Sequence, residues 1–336
     1  MKLAMIVLSG LLMSLGGLAW AADAVPDAGE SPDLSLVSEH PVEGMDAGNL
    51  SGLAWCGDAL WAISDRDDGV LYRLDATEAT WRAEAEPFMA PPPPNTGLSW
   101  GTRVRAQLTG LVRGGKLDFE GLSCDRLGNR YVVSEAYAAV LRVSPAGKAE
   151  WLILPDGLIS QARASGMLLR YNAMFEGIAI DPEASRLWLA AEHSRRGLLV
   201  MHRKQSSWQC TGGCVLMAQG GQESPPPAAD ETDQPRRFSG LAFHAGSLFT
   251  LEPATYRICR RQVDTGASER CWSYAQTAME EPRRYDTPFG NAESLWVDND
   301  GAWIGIDNNE MTRADGEKRP VIWRFAAPKG GWGAKP

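Results

Sequence analysis

Short apolar runs recur along the chain, and turns rich in Gly, Asp and Asn separate them. In the first set the runs cover about residues 51–56, 59–64, 70–74 and 80–88. Runs of this length between such turns predict β-strands joined as hairpins. A further strand-like run, residues 34–42, precedes them. The pattern therefore predicts an all-β protein.

The same pattern returns five times, in segments that begin at Asn49, Asp118, Met174, Arg237 and Asn291. Each segment opens with Ser or Glu, usually followed by Gly and an apolar strand, and it carries a carboxylate after the second strand. The opening residues are 54 to 69 positions apart: Ser51, Glu120, Glu176, Ser239 and Glu293. One four-stranded unit cannot bury both of its faces alone, so the repetition predicts the blades of a β-propeller.

The fifth segment supplies three strands, at about 292–298, 301–306 and 320–326. The run at 34–42 can fill the fourth place, which would close the ring and protect both edges. Five blades are therefore favoured, and a sixth within 89–117 stays open. A β-sandwich is the alternative architecture, but it requires no motif at a fixed period.

The first residues indicate an export signal at 1–21. Lys2 gives a positive start, an apolar stretch follows, and Ala19-Trp20-Ala21 has the small-x-small pattern of a cleavage site. We therefore expect a periplasmic or secreted protein. Its expected organisation after cleavage is a linker, one propeller domain and a tail, at residues 22–33, 34–327 and 328–336.

The chain contains six cysteines, all after the signal, and an even number in an exported protein predicts disulfides. Zinc is the competing interpretation, but only Cys210 and Cys214 are close in sequence and no His pair accompanies them. Strand positions favour three bridges, although sequence alone does not fix connectivity: Cys56–Cys124, Cys210–Cys214 and Cys259–Cys271.

A formal net charge of −9 argues against nucleic acid and anionic membrane surfaces as partners. No second long apolar run follows the signal, so no membrane span is expected. The oligomeric state stays open, with a monomer favoured.

Each opening residue has a carboxylate 13 to 16 positions later. The start of one strand and the end of the next lie side by side in an antiparallel hairpin, so the members of a pair should be neighbours. The pairs are Ser51 with Asp65, Glu120 with Glu135, Glu176 with Glu192, Ser239 with Glu252, and Glu293 with Asp307. This arrangement predicts eight carboxylates crowded around one end of the central channel.

Crowded carboxylates raise one another's pKa values and destabilise a fold unless a cation intervenes. Ca²⁺ is one candidate, because it takes roughly six to eight oxygen ligands. The predicted metal ligands are Asp65, Glu120, Glu135, Glu176, Glu252, Glu293 and Asp307. Neighbouring amides could complete the shell: Asn49, Asn172, Asn291, Asn308 and Asn309. Arginine is the other candidate, since Arg–carboxylate pairs could neutralise the ring with nothing bound.

Arginines beside the motifs and in the long connections would form a basic rim. Such a rim suits a small anionic substrate or ligand, which guanidinium groups can grip through two hydrogen bonds. The predicted substrate-binding residues are Arg103, Arg105, Arg195, Arg196 and Arg237.

Glu192, His193 and Arg66 are the candidate catalytic residues. His193 should reach the crowded face, where it could act as a general base beside Glu192 or a metal-bound water. The alternative is an exposed loop histidine without a role. The stretch Gly97-Leu98-Ser99-Trp100-Gly101 matches a nucleophile elbow, but prolines precede it and no helical pattern follows, so a loop is favoured.

The repeated motifs include Asp118-Phe119-Glu120-Gly121, Phe175-Glu176-Gly177, Ser51-Gly52-Leu53, Ser64-Asp65-Arg66 and Ser134-Glu135. At these positions the sequence resembles the phytase-like β-propeller family, labelled "esterase-like activity of phytase", and the related SdiA-regulated periplasmic propellers. The resemblance implies an exported propeller, a calcium site and hydrolysis of a phosphoester or other ester. Two features depart from expectation. Ser51 and Ser239 replace the Glu of the other repeats, and no RHGxRxP motif occurs, which excludes histidine-phosphatase chemistry.

Two functions therefore stay open. The first is a Ca²⁺-assisted hydrolase of a phosphoester or other ester at the channel mouth. The second is a non-catalytic periplasmic binding or scaffolding propeller, in which a metal or Arg pairs only close the channel. Propellers host both, so the fold does not decide between them.

Overall fold

A computed structural model describes residues 31–45, 48–98, 101, 116–170, 174–192, 195–229, 232–287 and 291–334. Within these residues, no helix is long and apolar enough to cross a membrane.

The described residues form 23 strands in chain order, grouped mainly into five antiparallel sheets. A strand that precedes the first sheet is β1 (Leu36–Glu43). The first sheet contains β2 (Leu50–Cys56), β3 (Ala59–Ser64), β4 (Val70–Asp75) and β5 (Trp81–Pro87). The second contains β6 (Phe119–Cys124), β7 (Arg130–Ser134), β8 (Ala139–Val143) and β9 (Ala149–Trp151). Helix α1 (Leu158–Ala164) follows it.

The third sheet contains β10 (Phe175–Ile180), β11 (Arg186–Ala191), β12 (Arg196–Lys204), β13 (Ser207–Gln209) and β14 (Val215–Gln219). A small hairpin of β15 (Gln222–Glu223) and β16 (Gln234–Pro235) follows. The fourth sheet contains β17 (Gly240–His244), β18 (Ser247–Glu252), β19 (Arg257–Arg261) and β20 (Ser268–Ser273). Helix α2 (Ala275–Ala278) comes next, and then the fifth sheet: β21 (Ala292–Val297), β22 (Gly301–Ile306) and β23 (Val321–Ala326).

The innermost strands of the five sheets contact one another in a closed ring. Strand β2 contacts β6, β6 contacts β10, β10 contacts β17, β17 contacts β21, and β21 returns to β2. Five hydrophobic clusters occupy the five interfaces between adjacent sheets. The fold is therefore a β-propeller, as the repeat predicts. The sequence also allows a sixth blade within 89–117. Most of this stretch, residues 99–100 and 102–115, lies outside the described residues, so the blade count of the whole chain stays a prediction.

Strand β1 closes the ring, as predicted. It pairs antiparallel with β23, where Glu39 faces Trp323, and so supplies the fourth strand of the fifth sheet. It also pairs in parallel with the end of the first sheet, where Val42 faces Trp81, and this contact was not predicted. Because β1 joins the first and last sheets, neither sheet leaves this edge open to solvent.

Aromatic residues pack between blades. Trp188 of the third sheet stacks on Phe243 of the fourth, with ring centroids 5.2 Å apart. Burying a side chain of this size contributes roughly 1.5–3 kcal/mol. Trp332, in the segment after β23, is buried as well, and its indole N–H donates to the carbonyl of Asp298 at 2.8 Å.

The Gly that follows the opening residue in four of the five repeats is required for steric reasons. A Cβ on Gly121 would lie 2.9 Å from the carbonyl oxygen of Glu176, and one on Gly240 would lie 3.0 Å from the backbone nitrogen of Leu295. The next inner strand therefore passes too close for a side chain. The fifth repeat has Ser294 at this place, and its partner across the hairpin is Gly305, which makes the room instead.

Three disulfides are present: Cys56–Cys124, Cys210–Cys214 and Cys259–Cys271. This is the connectivity that the strand positions favoured. The first bridge joins the inner strands of the first two sheets, and the third crosses the β19–β20 ladder, where Cys259 faces Cys271.

Candidate functional site

Four of the five opening residues, all except Ser239, sit on β-bulges at one end of the inner strands. The ladder register shifts between Leu50 and Gly52, and the same shift recurs around Glu120, Glu176 and Glu293. A bulge leaves its extra residue out of the ladder and redirects its side chain, which explains why the opening residues line the channel. The cavity at the channel is lined by the opening residue and the two that follow it from all five inner strands.

The predicted pairing of opening residues with later carboxylates is present in the backbone. The N–H groups of Glu135, Glu192 and Asp307 donate to the carbonyls of the residues two positions before the opening glutamates, at 2.8, 3.1 and 2.8 Å. In the first blade the N–H of Asp65 donates to Oγ of Ser51 at 3.2 Å. In these four blades, the motif carboxylate that follows the second strand therefore lies beside the start of the first strand.

Six carboxylates form two tight groups. One oxygen from each of Asp65, Asp118 and Glu120 can be chosen so that all lie within 4.8 Å of one another. The same holds for Glu135, Glu176 and Glu192. Asp118 was not among the predicted ligands. Its signal was present, because it stands two positions before Glu120 in the Asp-Phe-Glu-Gly motif, but the repeat itself pairs only the opening positions with the later carboxylates.

Burial is the main reason why the pKa values of the carboxyls around the channel mouth, here called the ring, are raised. It raises those of Glu120, Glu135 and Glu176 well above the usual range, and the charges of neighbouring carboxylates raise them further. The pKa values of Glu293 and Asp307 rise to about 7, again mainly through burial. In both residues the charge of Asp65 adds to the effect, so these carboxyls lie within electrostatic range of the first group.

Two predicted arginines lie in this ring. The Arg237 guanidinium is 3.3 Å from Glu293 and 3.9 Å from Glu192, so this residue, which precedes the fourth sheet, links carboxylates of the fifth and third blades. The Nε of Arg66 lies 3.2 Å from Asp65. Among the described residues, ion pairs with these two guanidiniums therefore neutralise part of the ring.

Glu252 does not join the carboxylate groups, and this corrects its place among the predicted metal ligands. Its carboxylate is 1% exposed and lies 2.6, 3.1 and 3.4 Å from Arg261, Arg196 and Arg257. Despite burial, these three guanidiniums hold the pKa of Glu252 far below its usual range. In the fourth blade, therefore, arginine pairs neutralise the motif carboxylate.

The same network corrects the prediction for Arg196, which is 2% exposed and is not part of a solvent-facing rim. Its guanidinium also packs over the ring of Phe238 at 4.6 Å. Arg195 is exposed and donates to the carbonyl of Ser165 at 3.3 Å. Three predicted residues lie outside the described residues, His193, Arg103 and Arg105.

Asn49, two positions before Ser51, is fully buried. Within the described part of the chain, neither its amide oxygen nor its amide nitrogen has a hydrogen-bond partner. Asn49 and Asp118 occupy equivalent places, and both have a left-handed backbone with φ of 54°, which Asn and Asp tolerate better than most residues. The Asn49 backbone lies near the first carboxylate group, because Oγ of Ser51 donates to the carbonyl of Asn49 and accepts the N–H of Asp65. Asn172 lies outside the described residues.

The fold and this ring define the chain as a β-propeller with an acidic channel mouth. Residues 46–207 match the family model described as "Phytase-like: Esterase-like activity of phytase". The match spans just under half of the chain and confirms the resemblance at the motifs. No curated protein matches the sequence.

Solved structures with similar folds have little sequence identity to this chain. A glutaminyl cyclase from Myxococcus xanthus is 12% identical, with a TM-score of 0.49, and the alignment covers 88% of this chain and 97% of that one. The PQQ-bound aldose sugar dehydrogenase from Streptomyces coelicolor is 12% identical, with a TM-score of 0.42 and coverages of 88% and 98%. A luciferin-regenerating enzyme is 10% identical, with a TM-score of 0.43 and coverages of 88% and 96%.

Proposed function

We propose that this chain is an exported phytase-like propeller whose channel mouth binds Ca²⁺ and hydrolyses a phosphoester or other ester. The observation that carries the proposal is the pair of carboxylate groups, each of which brings three oxygens within 4.8 Å of one another. Carboxylates this close to one another are stabilised either by protons or by a cation. The family match and the three disulfides, which form in oxidising compartments, support the rest.

The donor set fits a hard divalent cation. Carboxylate and amide oxygens are the ligands that Ca²⁺ prefers, and Asn49 offers a buried amide oxygen without a protein partner in the described residues. Asp65, Asp118 and Glu120 would hold one cation, and Glu135, Glu176 and Glu192 are the second possible set. A bound Ca²⁺ would polarise the ester oxygen and lower the pKa of water.

The side chains around the ring would divide the remaining work. Arg237, held by Glu192 and Glu293, and Arg66, held by Asp65, would orient an anionic substrate through their positive charge. Glu192, together with the predicted base His193, would accept the proton of the attacking water.

A non-catalytic binding or scaffolding propeller is the second candidate. The observation that favours it is Glu252, whose three arginine partners neutralise a motif carboxylate with no ligand. In this alternative, Arg66 and Arg237 serve the same structural purpose in the other blades. It predicts that ring substitutions change stability while no turnover is seen.

Thermal unfolding of the mature protein with EDTA, and then with added Ca²⁺, tests the proposal. A ligand at about one hundred times its Kd stabilises by roughly 2.7 kcal/mol, so we expect EDTA to lower Tm by roughly 5–10 °C and Ca²⁺ to restore it. The Glu120→Gln and Glu176→Gln variants should lose the response, whereas Glu84→Gln, a change of an exposed carboxylate on β5, should keep it. Turnover of 4-nitrophenyl acetate and 4-nitrophenyl phosphate by the Ca²⁺-loaded protein then separates the two candidates. A Tm that ignores EDTA would contradict the metal site.

A further inference from the structure

The turn between β3 and β4, residues 64–69, binds the segment that leads into Asp118. Asp68 of this turn accepts two backbone N–H groups with its carboxylate, that of Lys116 at 2.6 Å on one oxygen and that of Leu117 at 2.7 Å on the other. Hydrogen bonds to a charged group are roughly twice as strong as those between neutral groups. A carboxylate of the first blade thus fixes the chain where it enters the second blade.

The second blade binds the carbonyl groups of the same segment. The hydroxyl of Ser134 donates to the carbonyl of Leu117, and the N–H of Glu135 donates to the carbonyl of Asp118 at 2.8 Å. The side chain of Leu117 packs in the hydrophobic cluster between the first two blades. The segment is therefore fixed through its N–H groups by one blade and through its carbonyl groups by the other.

The backbone of Asp118 has a conformation that needs such support. Its φ is 54°, in the left-handed region, and a residue other than Gly keeps this conformation only where its surroundings enforce it. Asn49 has the same φ at the same place in the first blade, but the N–H before it, that of Gly48, donates to Met45 of its own segment at 2.9 Å. Of these two places, only the one at Asp118 is held by a carboxylate from another blade.

The side chain of Asp118 connects the two carboxylate groups. One of its oxygens lies within 4.8 Å of oxygens of both Asp65 and Glu120 in the first group. It also reaches Glu135 of the second group. Burial raises the pKa of Glu135 most, and the charge of Asp118 and a hydrogen bond between the two carboxyls raise it further. Since Asp65 lies in the same turn as Asp68, one turn carries a candidate ligand and the residue that holds a second one.

We propose that Asp68 is a positioning residue for the cation site. By accepting the N–H groups of Lys116 and Leu117, it keeps the carboxylate of Asp118 at the distance from Asp65 that a shared cation requires. Residues that orient metal ligands without touching the metal change its affinity by roughly 10–100-fold when they are replaced. This inference deepens the proposed function and rests on it for the identity of the ligand, a divalent cation at the first carboxylate group.

Isothermal titration calorimetry with CaCl₂ tests this role. Asp68→Ala should raise the Kd for Ca²⁺ roughly 10–100-fold, and Asp68→Asn, which keeps one acceptor oxygen, should raise it less. Asp67→Asn is the matched control. It removes the same charge from the same turn while its amide oxygen can still accept the hydroxyl of Tyr72, so its Kd should stay within about threefold of the unaltered protein. An equal rise in Asp67→Asn and Asp68→Ala would assign the effect to charge and overturn the positioning role, as would an unchanged Kd in Asp68→Ala.

Amide hydrogen exchange in EDTA gives a second readout that needs no cation. If Asp68 keeps Asp118 in place, Asp68→Ala should speed the exchange of the Glu135 N–H, which donates to Asp118, by roughly tenfold. The Asp67→Asn control should leave it unchanged, and the N–H of Glu192, which makes the equivalent bond in the third blade, is the internal reference. Unchanged exchange at Glu135 in Asp68→Ala would overturn the inference. Faster exchange there, with no Ca²⁺ binding by the unaltered protein, would instead contradict the proposed function and leave Asp68 as the residue that holds Asp118.

Discussion

The guanidinium of Arg237 lies 3.3 Å from the carboxylate of Glu293, inside a ring that otherwise consists mostly of acids. Arg237 stands two positions before Ser239, the place that Asn49, Asp118 and Asn291 occupy in other blades. The fourth blade thus carries the guanidinium of Arg237 at the position where the second blade carries Asp118, a candidate metal ligand. The ring is therefore asymmetric, because the two groups of closely spaced carboxyls both come from the first three blades.

Replacing Arg237 should strengthen cation binding. In Arg237→Gln, Glu192 and Glu293 lose their internal counter-ion, so the metal-free protein should be less stable and its Ca²⁺ affinity higher, by roughly tenfold for one ion pair. Isothermal titration calorimetry measures the affinity. Arg236→Gln, next to it in sequence, is the control and should behave like the unaltered protein. Weaker Ca²⁺ binding in Arg237→Gln would mean that Arg237 supports the cation site instead of competing with it.

The metal-free protein should lose stability as the pH rises. Burial raises the pKa values of Glu293 and Asp307 to about 7, so between about pH 4.5 and 7 the unfolded chain releases protons that the folded chain retains. Unfolding becomes easier across this window, by an amount of the order of a few kcal/mol. Tm in EDTA at pH 5 and pH 8 checks the sign, and Ca²⁺ should remove most of the difference because it stabilises the ionised ring. A higher Tm at pH 8 than at pH 5 in EDTA would contradict the raised pKa values.

In the fifth blade the Gly of the cross-strand pair stands on the second strand instead of the first. Ser294 takes the position of the Gly in the other blades, and its partner is Gly305. A Cβ on Gly305 would lie 2.1 Å from Oγ of Ser294 and 2.3 Å from Leu50. Gly305→Ala should therefore cost roughly 1–3 kcal/mol of unfolding free energy. Adding Ser294→Gly should recover part of this loss, because the contact with Leu50 remains. Denaturant unfolding of the two single variants and the double variant measures the coupling, and Gly333→Ala, with open space around it, is the neutral control.

Much of the fold could be predicted because the repeat carries it. The strands at 59–64 and 301–306 match their predicted bounds, since glycine and acidic turns delimit them clearly. The closure by β1 followed from counting strands in the fifth repeat. The parallel contact of β1 with β5 could not be predicted, because it depends on how the first and last sheets meet in space and leaves no local pattern.

The meeting of the motif carboxylates at one end of the inner strands was predictable, and the partners of each carboxylate were less so. The motif placed Glu120 and Glu135 correctly beside each other, because hairpin geometry fixes which ends meet. It could not separate Glu252 from the other carboxylates, since the separating feature is three arginines from β12 and β19 that reach it across the blade.

The contrast between Glu252 and Glu120 gives the sharpest test of how the acids are neutralised. Removing one partner of a buried ion pair leaves the other charge uncompensated and costs roughly 3–5 kcal/mol. Glu252→Gln should therefore destabilise the protein by this amount, because Arg196 and Arg261 stay buried, while Ca²⁺ affinity is unchanged. Glu120→Gln should do the reverse. It replaces a carboxyl whose pKa burial and acidic neighbours raise, so the metal-free protein should be no less stable while Ca²⁺ binding weakens.

Denaturant unfolding in EDTA and Ca²⁺ titration of both variants provide the two measurements. The proposed site requires the effects to be separable, one residue acting on stability and the other on cation affinity. If both variants lose stability equally and neither changes Ca²⁺ affinity, the carboxylates of the channel serve one structural purpose, and the binding or scaffolding propeller becomes the better account of the molecule.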